Sequence, residues 1–179
     1  MKNIKGFYYF LIICFTHFSV GVNAQNNTVV IKKGWQFRQQ GTDKWNGATV
    51  PGEVHTDLLN NKMIPDPYFG DNEKKVQWVE KENWEYKTSF SVTPATLKNK
   101  HAELVFDGLD TYATVYLNEK LVLKADNMFR QWRADVKSIL RSGDNQLKIV
   151  FQSAQNVVDS LAKKDLPYVL PDNPRVYVR

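Results

Sequence analysis

The sequence predicts an all-β sandwich with a few short helices. Three observations carry that expectation. Apolar and polar residues alternate with period two in several short segments, turn signals separate those segments, and long stretches of helical period are missing. The chain has 179 residues, 42% of them hydrophobic and 13% aromatic. That suffices for one domain with a real core. It is too short to include a (β/α)₈ barrel, which alone needs about 250 residues.

Taken in order, Val29-Val30-Ile31 and Trp35-Gln36-Phe37-Arg38 read as an early strand pair around Gly34. Val54 to Asn61 reads as a short helix with Leu58 and Leu59 inward. Tyr86, Thr88, Phe90 and Val92 alternate with Lys87, Ser89 and Ser91, a strand with one buried face. Ala102 to Phe106 is the next strand. Ala113, Val115 and Leu117 then face one way, and Tyr112, Thr114 and Tyr116 the other. Asn118-Glu119-Lys120 turns the chain into Leu121-Val122-Leu123, a hairpin. Asp135 to Leu140 reads as a helix with Asp135 as N-cap and Gly143 beyond its end. Leu147, Ile149 and Phe151 mark a further strand, and Ser153 to Lys164 a surface helix with Val157, Val158 and Leu161 on one side.

Between Gly41 and Val79 the chain is rich in Gly, Pro, Asn and Asp and carries Trp45, Tyr68, Phe69 and Trp78. Long ordered loops with aromatics are common binding sites, but aromatics equally pin loops to a core.

Residues 1–24 have the form of a secretory signal: Lys2 and Lys5, an apolar run from Phe7 to Phe15, and the small-residue exit Val22-Asn23-Ala24, with cleavage expected before Gln25. The run is short for a membrane span, so none is expected after cleavage. Cys14, the only cysteine, lies inside this segment. Residues 25–179 therefore use no disulfide, thiolate metal site or thiol nucleophile. Net charge is +5, from 24 basic and 19 acidic residues; basic residues occur as scattered pairs such as Lys74-Lys75. Nucleic-acid binding is not expected without a concentrated basic stripe. Outside the leader the histidines are His55 and His101, too far apart in sequence for a ligand spacing, so no metal or other cofactor is expected.

Several strings are more specific. They are Val50-Pro51-Gly52-Glu53-Val54-His55-Thr56-Asp57-Leu58-Leu59, Ile64-Pro65-Asp66-Pro67-Tyr68-Phe69-Gly70-Asp71-Asn72-Glu73, Gln77-Trp78-Val79-Glu80, Trp84-Glu85-Tyr86, Phe106-Asp107-Gly108-Leu109-Asp110-Thr111-Tyr112-Ala113, Val115-Tyr116-Leu117-Asn118 and Asp126-Asn127-Met128-Phe129-Arg130. Over about residues 28–179 the chain resembles the N-terminal sugar-binding domain of glycoside hydrolase family 2, on its β-mannosidase branch. The first two strings narrow the resemblance to that branch. It implies a galactose-binding-domain-like jelly roll that precedes an immunoglobulin-like domain and a (β/α)₈ barrel.

The implied activity is retaining removal of terminal β-D-mannose, with β-mannosides as the partner of the whole enzyme. Such chemistry needs two carboxyl groups about 5–5.5 Å apart. In the family both are barrel glutamates, so no catalytic residue is expected here. Asn72-Glu73 and Asn118-Glu119 echo the family's Asn-Glu pair, but one lies in a loop motif and the other in a hairpin turn. Within the family this domain reaches the mannose pocket through a Trp-Asp-Trp-Gly motif shortly after a Tyr-Val-Arg-Lys segment. The sequence reaches Tyr177-Val178-Arg179. The expectation is a fragment lacking its last sandwich strands, with an unpaired, aggregation-prone edge.

Candidate sugar-contacting residues are Asp71, Asn72, Glu73 and Trp78. Loop-stabilising roles are the favoured reading of the motif polars: Gly108 permits a close approach, Asp110 and Thr111 tie a strand entry to backbone, and Pro65 and Pro67 stiffen the loop. Two other functions fit the sequence. A freestanding carbohydrate-binding module would stack sugars on Trp45, Trp78 or Trp84, and an envelope interaction domain would use no sugar at all.

Overall fold

A computed structural model describes residues 27–162. The expected leader, Lys163-Lys164 and the Arg175–Arg179 strand lie outside the described residues.

Among the described residues eight strands form two antiparallel sheets. β1 is Gln36–Gln39, β2 Asn46–Gly47, β3 Trp84–Val92, β4 Glu103–Phe106, β5 Tyr112–Leu117, β6 Lys120–Ala125, β7 Trp132–Asp135 and β8 Gly143–Gln152. The large sheet runs β2-β1-β3-β8-β5-β6, and β4 pairs with β7 in the small one. The chain leaves the large sheet for β4 after β3, and again for β7 after β6. These crossings give the jelly-roll sandwich its two layers. β3 and β8 pair from Trp84↔Phe151 to Val92↔Gly143 and form the spine.

Alternation fixes which face is buried, because a one-residue slip would turn every apolar side chain to water. Along β5, Ala113, Val115 and Leu117 are buried while Tyr112, Thr114 and Tyr116 are half-buried on the outer face. Tyr86, Leu147 and Ile149 join them in a core shared with Phe37, Leu58 and Leu109. Among the described residues no buried side-chain polar atom lacks a partner.

Three α-helices are present among the described residues: α1 Val54–Asn60, α2 Asn72–Val76 and α3 Ala154–Ala162. In α1 Leu58 points inward as expected, but Leu59 is exposed and Asp57 takes the second inward position. The expected strand pair at Val29–Arg38 does not form. The chain turns at Gly34 (φ +74), the Trp35 indole donates back to the Ile31 carbonyl, and β1 pairs with β2 and β3 instead. Nor is Asp135 to Leu140 a helix: Asp135 ends β7, its Oδ1 accepts from Lys137 N–H, and a turn follows. The acid acts locally as a cap, but too few residues remain before β8 to propagate a helix.

Candidate functional site

The segment between β2 and β3 holds the two branch-specific strings. It enters α1 through Thr49-Val50-Pro51-Gly52. A Cβ on Gly52 would lie 2.3 Å from the Thr49 carbonyl oxygen, so only glycine fits. The turn aims Asp57 at the sheet. Thr49 N–H donates to Asp57 Oδ1 (2.8 Å) and the Tyr86 hydroxyl to Oδ2 (3.0 Å). Asp57 is 1% exposed. Burial raises its pKa above the ordinary carboxylate value, opposed by these two hydrogen bonds. Burial, then the nearby Asp57 charge, push the Tyr86 phenol far above its usual range. Loop and sheet are thus locked by a buried acid–phenol pair. Sequence patterning alone does not single out this pair; its one local signal is an acid beside two leucines in a short helix.

The second string folds around Asp66. Its Oδ1 accepts from Tyr68 N–H, and its carbonyl accepts from Phe69 N–H and Asn72 Nδ2. Asn72 Oδ1 in turn accepts from Lys75 Nζ at 2.9 Å. Asp71 immediately precedes α2 and faces Lys74 across 3.9 Å in solvent. Glu73 borders a shallow hollow of about 220 Å³ with His55, Val76, Gln77 and Glu80. Trp78 does not line it; its ring lies 6.0 Å from that of Trp84, leaving 38% of the residue exposed. Of the four candidates, then, Asn72 serves its own loop, Asp71 meets a neighbouring lysine, Glu73 faces the hollow and Trp78 offers part of a ring elsewhere.

The other tryptophans offer less. Trp84 is buried and donates to the Val79 carbonyl. Trp45 is covered by Arg38 (4.4 Å) and Lys87 (4.0 Å), Arg38 being itself paired with Glu85 at 2.6 Å. Gly108 needs no freedom: a Cβ there would meet the Met128 carbonyl oxygen at an ordinary 3.5 Å. Thr111 Oγ1 donates to the Asp110 carboxylate rather than to backbone.

A second hollow, about 380 Å³, lies between α3 and the ends of β3 and β8. Asn83, Gln152, Ser153, Asn156 and Ser160 give it a neutral lining of amides and hydroxyls. Much of this polarity holds the fold: Ser153 N–H donates to Asn83 Oδ1, Ser153 Oγ to the Glu80 carbonyl and Asn156 Nδ2 to the Lys81 carbonyl. Asp57, the carboxylate with a raised pKa, has both oxygens engaged and no route to a glycosidic oxygen. The arrangement suits shaping and contact, not proton transfer.

A family model described as glycosyl hydrolase 2 galactose-binding domain-like matches residues 35–179. Beta-mannosidase B of Thermothelomyces thermophilus is 41% identical over 131 residues, 70% of this chain and 15% of that protein. The beta-mannosidase of Rattus norvegicus is 31% identical over 151 residues, 84% and 17% of the two chains. The crystal structure of β-D-mannosidase from Dictyoglomus thermophilum superposes with a TM-score of 0.75 at 43% identity, covering 77% of this chain and 17% of that one. An exo-chitosanase of Amycolatopsis orientalis shares the fold alone, with a TM-score of 0.61 at 18% identity over 71% and 17% of the two chains. The chain thus spans 15–17% of the length of these relatives.

Proposed function

We propose, because the chain belongs to the glycosyl hydrolase 2 galactose-binding domain-like family, that it is the non-catalytic N-terminal domain of an exo-acting β-mannosidase. The whole enzyme would hydrolyse terminal β-D-mannose with retention, using paired carboxylates on its barrel. The observation that carries this reading is the contrast in identity on a shared fold: 43% to a β-D-mannosidase, against 18% to an exo-chitosanase. Within the chain, the branch strings form the Asp57–Tyr86 lock and the Asp66-centred loop, which ties them to fold-specific packing. The test is hydrolysis of an aryl β-D-mannoside by this chain and by a longer form carrying the barrel. Activity in the longer form alone is the expected result. Turnover by this chain, or an inactive longer form that is folded, would overturn the reading.

Asp71, Asn72, Glu73 and Trp78 remain the proposed sugar-proximal residues, with Glu73 and Trp78 favoured because the side chains of Asp71 and Asn72 are engaged locally. Export rests on the leader-like residues 1–24, and cell fractionation of the tagged protein tests it. The partly exposed Trp78 favours one second reading, a freestanding carbohydrate-binding module. Calorimetry against manno-oligosaccharides separates the two: heat at millimolar sugar supports the module, and its absence from folded protein removes it.

A further inference from the structure

The fold gathers some of the basic residues that the sequence scatters. At the end of the sandwich opposite the β4–β5 and β6–β7 loops, the ladders close at Val92↔Gly143, Leu117↔Lys120 and Glu103↔Asp135. Three connections meet there: residues 93–102 between β3 and β4, the β5–β6 turn at 118–119, and residues 136–142 between β7 and β8.

Hydrogen bonds join all three. Lys137 Nζ donates to the Leu97 carbonyl, Val136 N–H to the Ala102 carbonyl, and Asn118 Nδ2 to the Ile139 carbonyl. Asn145 Oδ1 takes both Asn118 Nδ2 and Arg141 N–H. The end is thus preorganised, which lowers the cost of ordering it against a partner.

These connections and the first residue of β6 carry Lys98, Lys100, Lys120, Lys137 and Arg141, with Glu119 as their one acid. Asp135 and Asp144 add carboxylates at the adjoining strand ends, and Glu103 pairs with Arg133 at 3.3 Å. Lys98, Lys100, Lys120 and Arg141 are exposed and form no ion pair among the described residues. The opposite end has the reverse balance, with Asp107, Asp110 and Asp126 against Arg130 in its β4–β5 and β6–β7 loops. Apolar side chains sit among the cations. Leu121, next to Lys120, is 51% exposed, and Leu97, Ile139 and Leu140 are half-buried in the same connections.

We propose that this end is a peripheral docking surface for a bilayer carrying anionic phospholipid. The proposal goes beyond the β-mannosidase reading and does not depend on it. Charge complementarity selects an anionic partner, and two observations select a membrane. Exposed leucine among lysines combines apolar contact with attraction to charged headgroups, as interfacial binding requires. A polymer chain is usually tracked along a groove, and neither hollow described above reaches this end. The predominance of lysine over arginine also suits diffuse headgroup charge better than bidentate recognition of one group.

The test is sedimentation of the full chain with vesicles of phosphatidylcholine, alone or with about a third phosphatidylglycerol. Residues 1–24 are common to every variant, so differences between variants report the folded end. The combined variant Lys98→Gln, Lys100→Gln, Lys120→Gln, Arg141→Gln should partition at least about tenfold less onto the anionic vesicles, and about 1 M salt should erase the difference. Lys98→Gln with Lys100→Gln alone should lose at least about threefold, and this pair decides the matter if the combined variant loses its β3–β8 amide protection. Lys44→Gln with Lys81→Gln, from the other end of the sandwich, should change partition less than about twofold. Leu121→Gln should weaken it at least about threefold.

Equal loss from both lysine pairs, no loss from Lys98→Gln with Lys100→Gln, or partition indifferent to phosphatidylglycerol would overturn the proposal. So would binding to polygalacturonate or a DNA duplex as tight as to the vesicles and unchanged by Leu121→Gln, which would make the end a surface for acidic polymers.

Discussion

Asp57 shows how one buried acid can specify a loop. Its two oxygens satisfy Thr49 N–H and the Tyr86 hydroxyl, so removing either partner strands a buried polar group. Tyr86→Phe should cost about 1–3 kcal/mol in urea unfolding, with little change in m-value. The pH dependence has a definite sign. Burial raises the folded pKa of Asp57, so its contribution to stability is fully present below the ordinary value and is lost as pH rises through the raised one. Wild-type stability should therefore fall across the range above about pH 4 more steeply than that of Asp57→Asn, measured by urea titration at several pH values. The glycines divide just as clearly. Gly52→Ala drives a Cβ into backbone and should destabilise by about 1–3 kcal/mol, whereas Gly108→Ala should stay within about 0.5 kcal/mol in thermal unfolding.

At the scale of elements, the β5–β6 hairpin and the start of β8 depend on one another. Asn118 and Glu119 form the two-residue turn with φ of +50 and +69. Asparagine tolerates that region, but glutamate does not adopt it readily. Glu119→Gly should stabilise the domain by about 0.5–1 kcal/mol, read as a higher urea midpoint. Behind the turn, Asn145 is buried and takes both Asn118 Nδ2 and Arg141 N–H on its Oδ1, while its amide donates to the Arg141 and Gly143 carbonyls. Asn145→Ala should cost about 3 kcal/mol or more by the same measurement, since several backbone groups lose their partner. The hairpin was legible from its alternation and its Asn-Glu turn, because both signals are local. The Asn145 hub was not, since its partners lie up to 27 residues away and come together only when the sheet closes.

At the scale of the whole molecule, the described residues form a two-sheet sandwich whose β4–β5 and β6–β7 loops lie at one end. The β3, β5 and β8 strands, the inward Leu58 and the helix after Ser153 followed from the sequence, since period-two and period-3.6 patterning report burial directly. The specific strings also led to the family, because a buried lock and a tightly bonded loop demand particular residues at particular spacings. Tertiary structure decided the rest. It turned Val29–Arg38 from a strand pair into a turn entering β1, because β3 and β2 offered the hydrogen bonds. It covered Trp45 with two cations and buried Trp84, leaving Trp78 as the most exposed of the three tryptophans proposed for stacking. It also left Phe129 in solvent. A sequence records which side chains prefer water; which of them are left facing it depends on contacts made by residues far away along the chain.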